Sequence, residues 1–394
     1  MKEDAHMNKT TKVFLILGLT LLLTGLLLGG VGLVSASGQL RDGLGEELLG
    51  GLTVGERLEL RFEREFAGEV RALEIDSGVA NLRLLESPDG RCYLVAEGLQ
   101  EDEVETLLED GTLTVRERLS ISRLLGIHIG PLHIGPDGLR LDDNALTNVL
   151  TLTLYLPQRE LEALTLNLDV GTTQAQLALH AGKLELNSGV GEVNLASLTA
   201  DEANIRCGVG NFTLDTGEFE SLYLKGGVGE CQLRSLTAGN VQIHCDVGRV
   251  RLQEGRLDRL ELEGGVAEAE LRSVTVAQEA RIQGGTGNLE LEDCQLTDAS
   301  FYMGVGELRM QGWLKGQSYM EQGIGTVTLE LDNAAEESFV SVETGIGDVR
   351  IYQGGATQWQ GGGISGQGCA YGDEEAADRL TVQGGLGSLR IYLQ

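Results

Sequence analysis

The chain has 394 residues with a formal net charge of −30, 57 glycines and only 4 prolines. Hydrophobic residues make up 41% of it and aromatic residues 4%, which predicts a thin, aliphatic core. The negative charge argues against nucleic-acid binding and against adsorption to an anionic membrane surface, because phosphates would be repelled rather than neutralised.

An apolar segment near the N-terminus is the first predicted element. Residues 13–34 carry no charged side chain and, at about 1.5 Å per residue, can cross a hydrocarbon core of about 30 Å. Lys9 and Lys12 precede the segment and acidic residues follow it. The positive-inside rule therefore predicts a single-pass cell-membrane protein with residues 1–12 in the cytoplasm and the C-terminal domain outside the cytoplasm.

The alternative to a retained anchor is a cleaved signal peptide. Small residues at positions 34–36 form a plausible cleavage site, after which the mature protein would begin at Ser37. Signal-peptide apolar regions usually run for about 7–15 residues, which favours the anchor. In both cases the rest of the chain is exported.

The segment between the anchor and the main repeats divides into two parts. Residues 35–68 are predicted as a stalk or linker with weak strand character, and residues 69–160 as N-terminal solenoid coils with an inserted loop. The sequence SGVANLRL at residues 77–84 already matches the later repeat, so we expect the solenoid to begin there. The long loop between Arg118 and Asn148 is expected to project from it.

A glycine motif recurs about every 19 residues through residues 161–394, which are predicted as the regular solenoid repeats. The motif reads x-G-V-G and is followed by alternating apolar residues. We predict its first glycine to be a structural turn residue, because glycine reaches positive φ without a steric penalty. With Asp246 in its place once, that glycine recurs at Gly189, Gly208, Gly227, Gly265, Gly285, Gly304, Gly323, Gly345 and Gly385. The last interval spans two coils, which predicts a degenerate coil within residues 352–379.

Apolar and polar residues alternate between the glycines, a pattern typical of half-buried strands. Two short strands per unit cannot bury an apolar face alone, but units stacked about 4.8 Å apart can. The predicted fold is therefore all-β: a single-stranded parallel β-solenoid with coils of about 19 residues, preceded by one N-terminal transmembrane helix.

The alternation assigns individual side chains to the inside or the outside of the coil. Val228 is predicted to lie in an inward column with Val209, Val247 and Val266, so that Val228→Asp would be severely destabilising. Glu230 is predicted to point outward, so that Glu230→Lys would be nearly neutral.

The step between coils also predicts contacts between side chains. Arg249 and Arg251 fall one coil from Glu268 and Glu270, which makes them cross-strand neighbours.

The six cysteines are predicted to be mostly reduced core residues. Cys207 and Cys245 share a column two coils apart, at about 9.6 Å by the strand spacing, which exceeds the limit of about 7 Å for a disulfide. Cys231 and Cys294 fall at apolar positions, and Cys92 and Cys369 have no evident partner.

No catalytic, cofactor or metal site is predicted. Paired carboxylates such as Glu268 and Glu270 could serve acid–base chemistry, but a solvated, salt-bridged face is favoured. His128 and His133, with Asp142 and Asp143, match no established spacing of metal ligands.

Three further features carry weaker expectations. The acidic run at residues 373–378 lacks the residue order of a calcium loop, so we expect a solvated turn. Trp313 is predicted to cap an apolar column. Trp359, beside three glycines, is predicted to be an exposed contact residue.

The order of these motifs resembles a bacterial family of candidate adhesins, a domain of unknown function built from β-strand repeats. The resemblance covers about residues 69–394 and rests on IDSGVANLRL, GTLTVRE, and LTLYLPQRELEALTLNLDVG leading into the G-V-G series. The chain departs from the family pattern in the loop 119–147 and in the glycine-rich segment 354–372. The resemblance implies a surface-exposed, anchored solenoid with no catalytic residues to carry over.

The leading hypothesis is therefore a membrane-anchored, extracytoplasmic β-solenoid that acts as an adhesin-like binding or display protein without catalysis. Its partner would be a surface or envelope ligand, either protein or polysaccharide, held by the polar strand faces and the loop 119–147. One alternative is an envelope scaffold that self-associates end to end through uncovered terminal coils, or an envelope-stress or sensor component. A carbohydrate-active β-helix enzyme is less favoured. No cofactor and no nucleic-acid partner are expected.

Overall fold

A computed structural model describes residues 61–118, 150–157, 160–343, 345–363 and 368–394, with the backbone of three short strands between residues 128 and 141. Within these residues the regular structure is β-strand apart from two 3₁₀ helices, Glu101–Glu103 and Ala335–Glu337, which confirms the all-β prediction. No helix in this part of the chain is long and apolar enough to span a membrane. The predicted tail 1–12, the anchor 13–34 and residues 35–60 of the stalk lie outside the described residues.

The strands follow one another closely, and the longest ones turn corners without leaving the sheet. In chain order they are β1 (Arg61–Phe66), β2 (Ala72–Ser77), β3 (Asn81–Glu86), β4 (Cys92–Glu97), β5 (Val104–Glu109), β6 (Thr112–Glu117), β7 (His128–Ile129), β8 (Leu132–Gly135), β9 (Gly138–Leu141), β10 (Thr151–Leu156), β11 (Glu160–Gln253), β12 (Gly255–Arg272), β13 (Thr275–Thr286), β14 (Leu289–Thr297), β15 (Ala299–Lys315), β16 (Gln317–Leu331), β17 (Ser338–Glu343), β18 (Ile346–Gln353), β19 (Ala356–Gly363), β20 (Gly368–Gly372), β21 (Asp378–Gln383) and β22 (Leu386–Leu393).

The segment predicted as a projecting loop contains β7, β8 and β9. These strands form a separate three-stranded antiparallel sheet, in which His128 lies opposite His133. The sheet belongs to a different compact unit from the solenoid strands.

Strands β11–β16 form parallel coils. The pairing advances by 18 to 20 residues per coil, so that Arg249 lies beside Glu268 and Leu262 beside Ile282. The inward side chains are the aliphatic members of each alternation, such as Leu186, and they are fully buried. Stacking places these residues above one another in one continuous core. The predicted parallel solenoid and its step are confirmed.

The valine of each G-V-G motif points outward, which corrects the predicted inward column. Val209, Val228, Val247 and Val266 are 39, 38, 44 and 60% exposed. The buried alternation stops before the first glycine of the motif and resumes after the second, because the intervening residues form the corner of the coil. The reason for expecting a severe effect of Val228→Asp therefore fails.

At the N-terminal end, the coils do not stack in the order of the sequence. The coil of β2 and β3 lies beside β11, with Leu73 next to Leu164. Strands β6 and β10 follow later in the sequence yet pair in parallel on the outer side of β2 and β3. Antiparallel β5 covers β6, and antiparallel β4 covers β10 and pairs with β1. Residues 77–84 are thus part of the solenoid, as predicted, but a later segment forms its outer coil.

At the C-terminal end, too, the coils do not stack in the order of the sequence. The last coil in sequence, β21 and β22, lies directly on β16, and the earlier coil of β17 and β18 stacks outside it. Antiparallel β20 and β19 cover that outer coil. Residues 352–379 therefore supply capping strands rather than the predicted degenerate coil. The C-terminal strand is enclosed, so the stated reason for end-to-end assembly, an uncovered last coil, does not hold.

The side chain of Glu117 accepts hydrogen bonds at one corner of the solenoid, in place of backbone from an adjacent coil. At this corner the segment 119–149 interrupts the sequence of the outer N-terminal coil, between β6 and β10. Glu117 Oε2 accepts hydrogen bonds from the Ser77 hydroxyl at 2.6 Å and from the N–H groups of Val79 and Ala80 at 3.2 and 3.1 Å. In the regular coils, the backbone at the corner of the neighbouring coil lies next to the corresponding groups. A carboxylate thus satisfies donors that the interrupted coil leaves open.

Candidate functional site

The predicted turn glycines line one corner of the solenoid, where neighbouring coils approach closely. A Cβ atom on Gly208 or Gly227 would lie 2.4 or 2.3 Å from a backbone oxygen of the adjacent coil. Such an atom would lie within 1.9–2.5 Å of a backbone oxygen at the other predicted positions as well: Gly189, Gly265, Gly285, Gly304, Gly323, Gly345 and Gly385. We call these residues, with Asp169 and Asp246 at equivalent positions, the glycine column.

Positive φ belongs to the second glycine of the motif, not to the first. Gly210 has φ +138° and Gly229 has φ +146°, whereas the predicted glycines are absent from the positive-φ residues of the described chain. A Cβ on either of these second glycines would also lie within 1.8 Å of a backbone oxygen. The first glycine is therefore required by close approach alone, and the second by close approach and conformation together.

The outward face of the first strand carries three half-buried tyrosines and several basic side chains, with polar and acidic residues such as Glu261 and Glu263 between them. We call this surface, formed by Arg206, Tyr223, His244, Arg281, Tyr302 and Tyr319, the aromatic face. It contains the residue types, tyrosine and arginine, that are enriched at binding hot spots. A tyrosine ring also offers an apolar surface together with a polar hydroxyl group.

The aromatic face is organised by contacts between successive coils. The Arg206 guanidinium lies 5.8 Å from the centre of the Tyr223 ring, and that ring is 5.4 Å from His244. Further along, the rings of Tyr302 and Tyr319 are 5.9 Å apart. The Tyr319 hydroxyl is 2.9 Å from Oε1 of Gln383. These contacts hold the rings in defined positions on a rigid sheet.

The outward face of the second strand in each coil is dominated by ion pairs. Arg249 pairs with Glu268 at 2.5 Å and Arg251 with Glu270 at 3.1 Å, which confirms the predicted cross-strand neighbours. Arg251 also pairs with Glu230. Both glutamates considered for acid–base chemistry thus have arginine partners, as a salt-bridged face requires. We call this surface the ion-pair face.

Two of the grooves on the described coils have similar volumes. One, with a volume of about 620 Å³, crosses successive coils along Thr199, Glu218, Thr237 and Arg256. The other has a volume of about 570 Å³ and follows the glycine column beside the aromatic face. We call the second one the corner groove. Its lining includes Asn167, Asp169, Asn187, Arg206, Lys225 and Asp246.

The cysteines are unsuited to nucleophilic chemistry. All six are free thiols, and none is fully exposed. Burial raises the pKa of Cys207 and Cys231 to about 12, and that of Cys92 and Cys294 to about 11. Thiols with such pKa values stay protonated at neutral pH, and the thiolate is the reactive form. These residues act as small apolar groups, as the sequence predicted for Cys231 and Cys294.

The histidine and acidic motifs show no metal site in the described part of the chain. No group of three or more histidine, cysteine, aspartate or glutamate side chains there is arranged to hold a metal ion. The side chains of His128, His133, Asp142 and Asp143 lie outside the described residues. In the acidic run, Asp373 accepts a hydrogen bond from the Glu375 N–H at 3.0 Å, which is a local turn contact.

The two tryptophans have roles opposite to those predicted. Trp313 is 42% exposed, and Trp359 is partly buried against the core. A register irregularity between Leu291 and Cys294 accompanies Gly312, which has φ +137°, directly before Trp313. Trp359 lies opposite Ile351 in the antiparallel cap, which draws its ring onto the solenoid.

The aromatic face was not identified from the sequence. Its tyrosines occupy polar positions of the alternation and lie one coil or several coils apart, so no local motif connects them. The signal was available in the 19-residue step, which pairs Ser300 with Tyr319 and Tyr302 with Glu321 and so makes the two tyrosines diagonal neighbours on adjacent coils.

Comparison with known proteins matches part of the chain to one family. Residues 70–264 match the family described as Toastrack DUF4097. Similar solved structures include a candidate adhesin of Parabacteroides merdae, with 14% identity over 71% of this chain and 95% of that chain and a TM-score of 0.31. Another is a candidate adhesin of Bacteroides fragilis, with 14% identity over 86% and 99% of the two chains and a TM-score of 0.25.

These TM-scores are too low to support an argument about function. A comparison with curated proteins finds no match. The family match and the repeated coils agree with the resemblance seen in the sequence. Over residues 70–264 the chain is therefore similar to the Toastrack DUF4097 family, a domain of unknown function.

Proposed function

We propose that this protein is a membrane-anchored, adhesin-like surface protein that binds a cell-surface or envelope ligand without catalysis. The observation that carries the proposal is the aromatic face, where Tyr223, Tyr302 and Tyr319 line one side of a rigid solenoid. Because the rings are already held by neighbouring coils, binding would immobilise few side chains and lose little entropy.

The chemistry of the other surfaces supports binding rather than catalysis. The carboxylates of Glu268 and Glu270 are paired with arginines, and burial keeps the cysteine thiols protonated. A rigid array of polar and aromatic columns on parallel strands is a suitable platform for an extended ligand, since the columns repeat about every 4.8 Å.

The proposed location rests on the N-terminal sequence. Residues 13–34 are apolar and uncharged, and Lys9 and Lys12 lie on the side that the positive-inside rule assigns to the cytoplasm. The net charge of −30 keeps the solenoid away from anionic lipid, so the apolar segment is the feature that would hold the protein at the membrane.

We expect the full-length protein to remain in the membrane fraction through a high-salt wash, because the anchor is apolar and salt screens only charge interactions. Protease added to intact cells with a permeable wall should degrade the solenoid and spare residues 1–12. A soluble form that begins at Ser37 would contradict the anchor, and protection of the solenoid from protease would contradict the orientation.

We expect the triple variant Tyr223→Ala, Tyr302→Ala and Tyr319→Ala to lose at least about tenfold in affinity for the captured envelope ligand. That loss corresponds to about 1.4 kcal/mol, a modest value for three hot-spot side chains. The measurement is capture of envelope components by full-length protein in detergent, followed by titration of the captured component.

The control for this experiment is Tyr352→Ala. Tyr352 stacks on Tyr392 at 4.5 Å outside the aromatic face, so its replacement removes a ring of the same kind from another place. We expect the control to bind as the native protein does. Equal binding by the triple variant and the native protein would refute the aromatic face as the binding surface.

A further inference from the structure

We infer that the corner groove binds a segment of an acidic polysaccharide, with one anionic group of the sugar held between Arg206 and Lys225. This inference rests on the proposed function and names the ligand class. It starts from a groove of about 570 Å³ that lies directly beside the aromatic face and contains two basic side chains, although the chain has a net charge of −30.

The groove has a floor, one polar wall and two defined ends. Gly189, Gly208 and Gly227 provide the floor, where the absence of side chains exposes the backbone. The next positions of the same column, one coil beyond on each side, are Asp169 and Asp246. At about 4.8 Å per coil these two aspartates are about 19 Å apart, which is long enough for a short, extended stretch of polymer.

Basic side chains lie on successive coils at the centre of the groove, an arrangement that does not stabilise the fold. Lys225 is 19 residues after Arg206, so two basic side chains that line the groove occupy successive coils. Like charges on neighbouring strands are destabilising. Within the described residues, the only ion pair of Arg206 is with Glu185, at 3.9 Å, and Lys225 has none. An anion between Arg206 and Lys225 would offset the repulsion that the stack creates.

The ends of the groove select against a uniformly charged polyanion. Asp169 and Asp246 would repel a second and a third anionic group placed one or two coils from the first. Both carboxylates are exposed and can accept hydrogen bonds from hydroxyl groups. The wall also contains two amide side chains, and Asn187 Nδ2 donates a hydrogen bond to Asn167 Oδ1 at 2.9 Å. The groove therefore has a hydrogen-bond acceptor at each end and cations at its centre. A sugar acid, with one charge among several hydroxyl groups, fits this arrangement.

The neighbouring aromatic face extends the site. The Arg206 guanidinium, which lines the groove, also lies 5.8 Å from the Tyr223 ring centre. A sugar ring that leaves the groove on this side would meet an aromatic surface on which its C–H groups can pack. The carboxylate of a uronic acid and the sulfate of a sulfated sugar share the chemistry that Arg206 and Lys225 recognise.

The test is isothermal titration of full-length protein in detergent micelles with four probes: a neutral oligosaccharide that carries one uronic acid, the same oligosaccharide with one sulfate group instead, neutral dextran and poly-L-glutamate. We expect one or both acidic oligosaccharides to bind, with the carboxylate-only and sulfated probes distinguishing the two sources of charge. Arg206→Ala and Lys225→Ala should each weaken binding at least about tenfold, and added salt should weaken it further.

A second groove variant and a matched control keep the result interpretable. Asn187→Asp adds a carboxylate to the wall at a solvent-accessible site and should also weaken binding. Arg249→Ala removes a cation from the ion-pair face and should leave binding unchanged. Unchanged circular dichroism would show that each variant is folded.

Three results would overturn the inference. They are binding that Arg206→Ala and Lys225→Ala leave intact, equally tight binding of poly-L-glutamate, and no binding of either acidic oligosaccharide. Each would leave the proposed function standing, because that function is judged by capture of envelope ligand and by the tyrosine variants. Conversely, failure of the capture experiment with retained glycan binding that depends on Arg206 and Lys225 would refute the proposed function and leave the groove as a glycan site.

Discussion

Gly229→Ala is expected to destabilise the solenoid by about 3–5 kcal/mol, which is at the severe end for a single substitution. The new Cβ would lie 1.8 Å from the backbone oxygen of Gly210, and backbone cannot move aside without opening the coil beneath it. Alanine would also have to adopt φ +146°, where side chains other than hydrogen are strained. The measurement is thermal unfolding followed by far-UV circular dichroism.

Val228→Ala is the matched control, one residue away in the same motif. Val228 is 38% exposed and points away from the core, so its truncation should cost less than about 1 kcal/mol. Hydrogen exchange should show the loss of protection in Gly229→Ala concentrated in the coils next to residue 229, because each coil contacts only its neighbours. Equal losses in the two variants would show that the corner does not pack as described.

The regular part of the solenoid could be predicted because its constraints are periodic. A step of about 19 residues fixes which side chains become neighbours, and the pairs of Arg249 with Glu268 and Arg251 with Glu270 followed from that step alone. Alternation assigned the inward residues correctly on both strands of a coil, as the full burial of Leu224 and Leu233 shows.

The corners could not be predicted in the same way, because alternation does not hold through a turn. Val228 looked like the next member of the inward series, yet the chain rotates between Gly227 and Gly229 and places it outside. Gly227 was predicted as a turn residue with positive φ, whereas in the structure its close approach to the adjacent coil is what excludes a side chain. Distinguishing close approach from positive φ requires the coordinates of the adjacent coil.

The repeat pattern also does not predict the order in which the terminal coils stack. All coils have similar patterns, so the sequence does not tell whether β21 or β17 follows β16. Side chains at the exchange points bond to segments that are distant in sequence, as Glu117 does near the N-terminal end and Asn333 near the C-terminal end, and we expect such contacts to favour the observed order. These are single polar residues whose partners lie far along the chain, and no periodic pattern marks them.

Asn333→Ala is expected to cost about 2–5 kcal/mol, because Asn333 holds the point where β16 gives way to a non-consecutive coil. Its side chain is buried and copies a peptide group: Nδ2 donates to the Leu314 carbonyl at 2.8 Å, and Oδ1 accepts from the Leu314 N–H at 3.0 Å. Nδ2 also donates to Asp378 Oδ2 at 3.1 Å, which links the departing chain to the returning one. Alanine would leave two buried backbone groups unpaired, at about 1–3 kcal/mol each.

Asn211→Ala is the control for this variant, since it removes the same kind of side chain from a regular coil. Asn211 Oδ1 accepts from the Glu230 N–H at 3.2 Å at an exposed site, where water can replace it, so the loss should stay below about 1 kcal/mol. Hydrogen exchange of Asn333→Ala should show faster opening of β17–β22 than of β11. If the two variants unfold with equal midpoints, water or a shifted backbone satisfies Leu314, and Asn333 does not determine the order of the last coils.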